Sequence, residues 1–187
     1  MSPRLVVEST LIGGLLTAIH PPLGDARGEL ERLFCANDLD EVLGERHIVQ
    51  VNRTLTRQVG AVRGMHYQLP PSAEMKIVTC MRGRIFDVAV DLRAGSPTFL
   101  RPYGIELSEG THRSFVIPEG FAHGFQVLES DSELLYFHTA FYDPVNERGL
   151  APTDPALGIE WPLEISQISD RDAQHELVSD TFEGVRP

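Results

Sequence analysis

The stretch KIVTCMRGRIFDVAVDLR, residues 76–93, decides the fold class. In RIFDVAVDL (84–92), Ile85, Asp87, Ala89 and Asp91 fall on one face, and Phe86, Val88, Val90 and Leu92 on the other. That period of two is the mark of a strand. Two aspartates on one face predict a strand whose second side meets water or a polar cavity. The preceding KIVTCM reads as a second strand, and the Arg-Gly-Arg link predicts a hairpin that turns at Gly83.

Working outward, the same texture continues on both sides. YGIEL (103–107), RSFVI (113–117), HGFQVLE (123–129) and ELLYFHTAFY (133–142) are short apolar runs. Their links are rich in Gly, Pro, Ser and Asp, as turns require. One short helix is expected at NDLDEVLG (37–44), with Asn37 as cap and Gly44 as stop. From Pro144 onward, proline and glycine recur and predict loops wrapping a barrel. No repeat and no low-complexity run interrupts the 187 residues, which read as one domain, 1–187. The expected class is all-β, an antiparallel jelly roll with few short helices.

Composition narrows the functional classes. The formal net charge is −11, from 27 acids against 16 bases. That argues against nucleic acid as a partner, which calls for a basic face. No apolar run reaches the roughly 20 residues that span a bilayer, so no membrane association is expected. MSPRLVVESTLIGGLLTAIHPP is interrupted by Glu8 and reads as a first strand and turn rather than a leader. Cys35 and Cys80 lack CxxC spacing, and a reducing cytoplasm is the expected compartment.

The candidate chemistry begins at RGMHYQLPP (63–71). His66 lies in a strand-like run, and Lys76 follows a proline loop, so hairpin-like pairing would bring both onto one inner face. A barrel mouth is a common place for a small-molecule site. Metal-binding barrels usually present an HxH pair. Here Gly64 and Gln68 flank His66 at that spacing, and the nearest candidate, His123 in GFAHGFQ, is a scattered second histidine. No metal and no cofactor are expected.

Taken in order, RGMHYQLPP, KIVTCMRGRIFDVAVDLRAGSPTF, IPEGFAHGFQVL, ELLYFHTAFYDP and DPALGIEWP resemble the dTDP-4-dehydrorhamnose 3,5-epimerase family from about Gln50 to Asp172. The resemblance implies a cupin-type double-stranded β-helix that works without metal, as a homodimer, on a nucleotide sugar. It implies inversion at C3 and C5 of a 4-keto-6-deoxyhexose. By position, His66 matches the base beside the C4 ketone and Asp172 its orienting carboxylate, with Asp170 as the alternative register. Lys76 matches the lysine near the ketone oxygen, and Tyr136 the acid on the opposite sugar face. Arg63 and Arg171 match diphosphate contacts, Gln50 and Asn52 polar cleft positions, His123 a pocket histidine and Tyr142 an aromatic on the nucleobase.

The chain also departs from the family. The early motif, usually RG-x-F-F-E, reads RGELERLF here. Arg27 stays, Leu30 and Glu31 replace two aromatics, and Arg32 replaces the acid, which bears on base preference. After Tyr136, Phe137 and His138 stand where the family often has Lys-Thr, a neighbourhood where single-carbon epimerases differ. The alternatives left open are a C3- or C5-only epimerase, an enzyme on another nucleotide, a non-catalytic sugar-nucleotide binder and a metal-dependent barrel enzyme.

Overall fold

The computed structural model describes residues 4–187. One sheet holds six strands, in the order β1 (Val6–Ser9), β2 (Leu16–Ile19), β10 (Arg113–Ile117), β7 (Lys76–Arg82), β12 (Ser132–His138) and β5 (Gln50–Thr56). The other holds five: β13 (Glu147–Gly149), β6 (Val62–Gln68), β11 (Phe121–Val127), β8 (Arg84–Asp91) and β9 (Pro102–Ser108). A separate ribbon pairs β3 (Leu23–Asp25) with β4 (Gly28–Leu30). Two one-turn helices, α1 (Asp40–Leu43) and α2 (Asp170–Ala173), complete the elements with two 3-10 turns.

The sheets enclose a core to which each contributes one face. Val78, Phe115 and Leu134 come from the six-stranded sheet, Ile85, Ala89 and Phe125 from the five-stranded one. Burial of such side chains is the dominant favourable term in folding. Each sheet is also covered from outside. Met65, Val88 and Val90 meet Leu150, Leu157 and Trp161 of the C-terminal wrap. Ile77, Val116 and Phe137 meet Leu39 and Leu43 around α1. This is the expected jelly roll.

Several expectations are corrected. Gly83 does not turn a hairpin, because β7 and β8 belong to different sheets. Each is already paired on both edges, β7 by β10 and β12, β8 by β11 and β9. Gly83 instead carries the chain across at φ +75°, where a Cβ would come within 2.5 Å of Ser132 Oγ. For the same reason His66 and Lys76 are not hairpin neighbours; β6 and β7 lie in facing sheets. Of the two settings expected for the aspartate-bearing face of β8, water is excluded, since Asp87 and Asp91 are fully buried, while Asp87 bonds the cavity-lining His123. Asp91 is caged by Arg93, Ser96 and Thr98 at 2.6–2.8 Å.

The helix at 37–44 is shorter than expected. Leu39 rather than Asn37 occupies its cap, with no side-chain bond, while Gly44 does end it. The run 133–142 leaves the sheet after His138, where Thr139 turns back to bond Met75 at both backbone and side chain. The C-terminal loops include β13, an added edge strand, and α2. Ser2 and Pro3 of the early strand lie outside the described residues; Val6–Ser9 forms the sheet edge. Among the described residues no helix is long and apolar enough to cross a membrane.

Candidate active site

A cavity of about 230 Å³ opens between the sheets, lined by both. On the five-stranded side β6 presents His66. Gly64 at φ +122° and Gly124 let β6 and β11 close to a distance no side chain tolerates; a Cβ on Gly64 would sit 2.5 Å from Gly124 Cα. The ladder is irregular there, and His66 comes directly opposite His123.

Asp172 reaches His66 from α2. Ser169 caps that helix, its Oγ accepting from the Asp172 N–H at 3.1 Å. The Asp172 carboxylate takes His66 Nε2 at 2.8 Å and the Gly64 N–H at 3.2 Å. Burial opposes its charge, but these hydrogen bonds, with the imidazole and Ser169, outweigh it and hold the carboxyl below its usual value. With Nε2 committed, the basic lone pair of a neutral His66 lies on Nδ1, and the ring stays 31% exposed for substrate. Asp170 is exposed and makes no such contact, so Asp172 is the register that the structure uses.

The six-stranded sheet supplies the opposite wall. Tyr136 is 9% exposed, and burial followed by the nearby Asp87 raises its phenol pKa, so it stays protonated. Lys76 Nζ lies 2.9 Å from Glu74 Oε1. Burial works against the Glu74 charge, yet Lys76 and His138 hold its carboxyl down to about 2. His138 donates from Nδ1 to Glu74 Oε2 at 2.8 Å and stacks on Tyr136, ring centroids 5.9 Å apart.

Most of the expected binding positions gather here. Arg63, Asn52, His123 and Tyr142 line the same cavity. Gln50 stands beside it, accepting the Tyr142 N–H at 3.2 Å. Arg171 pairs with Glu147 at the mouth, and Glu147 also accepts the Tyr142 hydroxyl at 2.8 Å. His123 is held by Asp87 at 2.6 Å. Arg27 and Arg32 are not brought to this cavity. Arg27 sits on the exposed β3–β4 ribbon paired with Asp25, and Arg32 is paired with Asp38.

Sequence reasoning missed Glu74, Glu147 and His175, and noted His138 and Asp87 without placing them at the site. Two of them carried a signal: a carboxylate two residues before Lys76, and a histidine two residues after Tyr136 on the same strand face. His175 packs edge-on against His66, ring centroids 5.7 Å apart, and its Nε2 lies 3.8 Å from Asp172 Oδ1 with no hydrogen-bond partner. Together His66, Asp172 and His175 put three donor atoms within 4.8 Å of one another, although the His66–Asp172 hydrogen bond already occupies two of these side chains.

Taking a proton from one side of a small ring and returning it from the other needs a base and an acid on facing walls. A jelly roll with a His–Asp pair on one cavity wall and a tyrosine and lysine on the other fits that need and the class of cupin-type isomerases. The chain belongs to the dTDP-4-dehydrorhamnose 3,5-epimerase family, whose model matches residues 9–180. It is 43% identical over 150 residues to the dTDP-4-dehydrorhamnose 3,5-epimerase of Shigella flexneri, covering 80% of this chain and 82% of that one. A dTDP-4-dehydrorhamnose 3-epimerase of Streptomyces niveus is 36% identical, over 83% of this chain and 75% of its own. The crystal structure of dTDP-6-deoxy-D-glucose-3,5-epimerase from Legionella pneumophila, in complex with dTDP-4-keto-L-rhamnose, superposes with a TM-score of 0.87 at 38% identity, covering 93% of each chain.

Proposed function

We propose that this chain, as one catalytic unit over residues 1–187, converts dTDP-4-dehydro-6-deoxyglucose into dTDP-4-dehydrorhamnose by inverting C3 and C5. The observation that carries the reading is the pairing of the His66–Asp172 dyad on one cavity wall with Tyr136 and Lys76 on the other. The C4 ketone acidifies the C–H bonds on either side of it. His66 Nδ1 takes the proton, and the electron pair moves onto the ketone oxygen as an enolate. Asp172 stabilises the imidazolium that results. The Lys76 ammonium stabilises the enolate oxygen. The Tyr136 hydroxyl then protonates carbon from the far face, and its proton is restored from solvent as His66 releases the one it took.

Arg63 and Arg171 supply guanidinium groups for the diphosphate. Asn52, Gln50 and His123 offer polar contacts to sugar or phosphate, and Tyr142 a face for the base. A homodimer is supported by the β3–β4 ribbon, all six of whose residues are exposed in their own chain. An isolated two-stranded ribbon is marginal alone. In a dimer this arm would carry Arg27 and Leu30 toward a second subunit. We place the enzyme in the cytoplasm, where free Cys35 and Cys80 stay reduced.

Proton NMR of the dTDP 4-keto sugar incubated with enzyme in D2O tests the reading. Deuterium at both C3 and C5 is expected, at a rate that EDTA treatment leaves unchanged. Label at C3 alone would assign the single-carbon reaction named for the Streptomyces niveus relative. Binding of dTDP without any label would leave only a sugar-nucleotide binder. Stronger binding of UDP than dTDP would move the preference to another base, through Leu30 and Arg32. Light scattering checks the dimer.

A further inference from the structure

Glu74 accepts from two side chains at once inside the cavity wall. One carboxylate oxygen takes Lys76 Nζ at 2.9 Å and the other His138 Nδ1 at 2.8 Å. All three side chains are about nine-tenths buried, so water screens them weakly. The Lys76 charge is therefore matched within its own cluster. With His138 neutral, the three groups sum to zero, which weakens the site where an enolate oxygen needs a positive field. With His138 protonated they sum to +1.

The surroundings admit both states of the ring. His138 Nε2 faces the Asn52 amide, with Nδ2 at 3.4 Å, which donates to a neutral ring. A flip of that amide turns its oxygen toward a protonated one. Lys76 is directly opposite His138 in the β7–β12 ladder, and neutral Gln50 is opposite in β5. On its own strand Tyr136 stacks against it. Across the cavity lie Arg63, His66 and Glu147, with Tyr142 at the mouth and His123 locked on Asp87. Glu74 is the acid that touches the ring.

We propose that His138 is a positioning residue that acts through Glu74, and that its protonated form frees the Lys76 charge to stabilise the enolate. The inference deepens the epimerase reading and rests on it. Through Glu74 the enzyme ties its electrophilic charge to the protonation of an imidazole. Turnover then needs His66 neutral and His138 charged, and it falls on the alkaline side as His138 gives up its proton.

The test follows deuterium exchange and kcat for the dTDP 4-keto sugar from about pH 6 to about pH 10 in four proteins, wild type, His138→Gln, Glu74→Gln and the double variant. His138→Gln is expected to lower kcat at the wild-type optimum by about tenfold, a fraction of a full oxyanion donor, and to leave KM nearly unchanged. It should also lose the alkaline limb. Glu74→Gln should lose that limb while keeping most of kcat, because the uncancelled lysine no longer needs the imidazolium. The double variant should recover to within about threefold of wild type, since removing both charges restores the sum of +1. A purely structural role would move neither the limb nor the double variant in this direction. The inference is overturned if His138→Gln keeps the wild-type kcat and alkaline limb, or if the double variant is no better than His138→Gln alone. A wild type without exchange overturns both this inference and the epimerase reading together.

Discussion

Two histidine–carboxylate pairs stand side by side on β6 and β11, and they differ in almost everything but chemistry. His66 and His123 are direct partners across the ladder. The His66 side chain is 31% exposed, and its carboxylate arrives from a helix in the C-terminal wrap. The His123 side chain is 6% exposed, and Asp87 comes fully buried from the adjoining strand β8, with Oδ2 unpartnered. A general base needs one nitrogen free and a route for its proton to leave. Each ring is bonded through Nε2 alone, but only His66 has the exposure that gives such a route; His123 is held within the barrel beside Tyr136, their ring centroids 6.1 Å apart. The same residue pair thus stands open to solvent where the cavity opens, as the proposed base requires, and buried where it closes.

The comparison breaks most easily at the first pair. His66→Ala should lower deuterium exchange by about 1,000-fold or more while dTDP binding, followed by calorimetry, stays close to wild type. His123→Ala causing an equal loss would erase the distinction. Next in size, Tyr136→Phe should cut net epimerisation by about 100-fold or more, with exchange at carbon falling less, because abstraction from the His66 side survives. Equal losses of exchange and inversion would place the tyrosine on the abstraction step instead.

Smaller effects sharpen the contrast through stability. Asp87→Ala strands a buried imidazole nitrogen and should cost about 2–3 kcal/mol in chemical denaturation, with kcat reduced by less than about tenfold. Asp172→Asn should show a milder and pH-dependent cost. The folded Asp172 carboxyl titrates below its ordinary value, so the stability it contributes is present above that value and is lost as pH falls through the folded one. The gap in Tm between wild type and Asp172→Asn should therefore narrow as pH drops from neutral toward about 3. A gap that is constant with pH would mean the carboxylate charge adds nothing to folding.

The strands were legible because alternation is a local property. RSFVI matches β10 residue for residue, and the 84–92 run matches β8 with one residue to spare. Partnership was not legible. Arg-Gly-Arg looks the same whether the next strand pairs or crosses to the other sheet, and only the occupied edges of β7 and β8 force the crossing. Asp172 was reached through the family pattern. The residues themselves offered Ser169 with an acid three positions on, a capping spacing whose carboxylate turns to His66 instead of back to the cap. Glu74 was passed over, and His138 noted only as a departure, because neither shows its partner until the fold places them in one cluster. Arg27 and Arg32 matched a motif whose ribbon stands away from this cavity in the single chain.

By itself, the sequence determined an all-β chain and most of its strands, since periodicity is carried by near neighbours along the chain, while its ordered motifs carried the family resemblance. The tertiary structure decided which strands face one another, which histidine stays open to the cavity and which carboxylate pairs with the lysine. Those depend on groups up to 106 residues apart, as in the His66–Asp172 bond, and on burial, which no local pattern encodes.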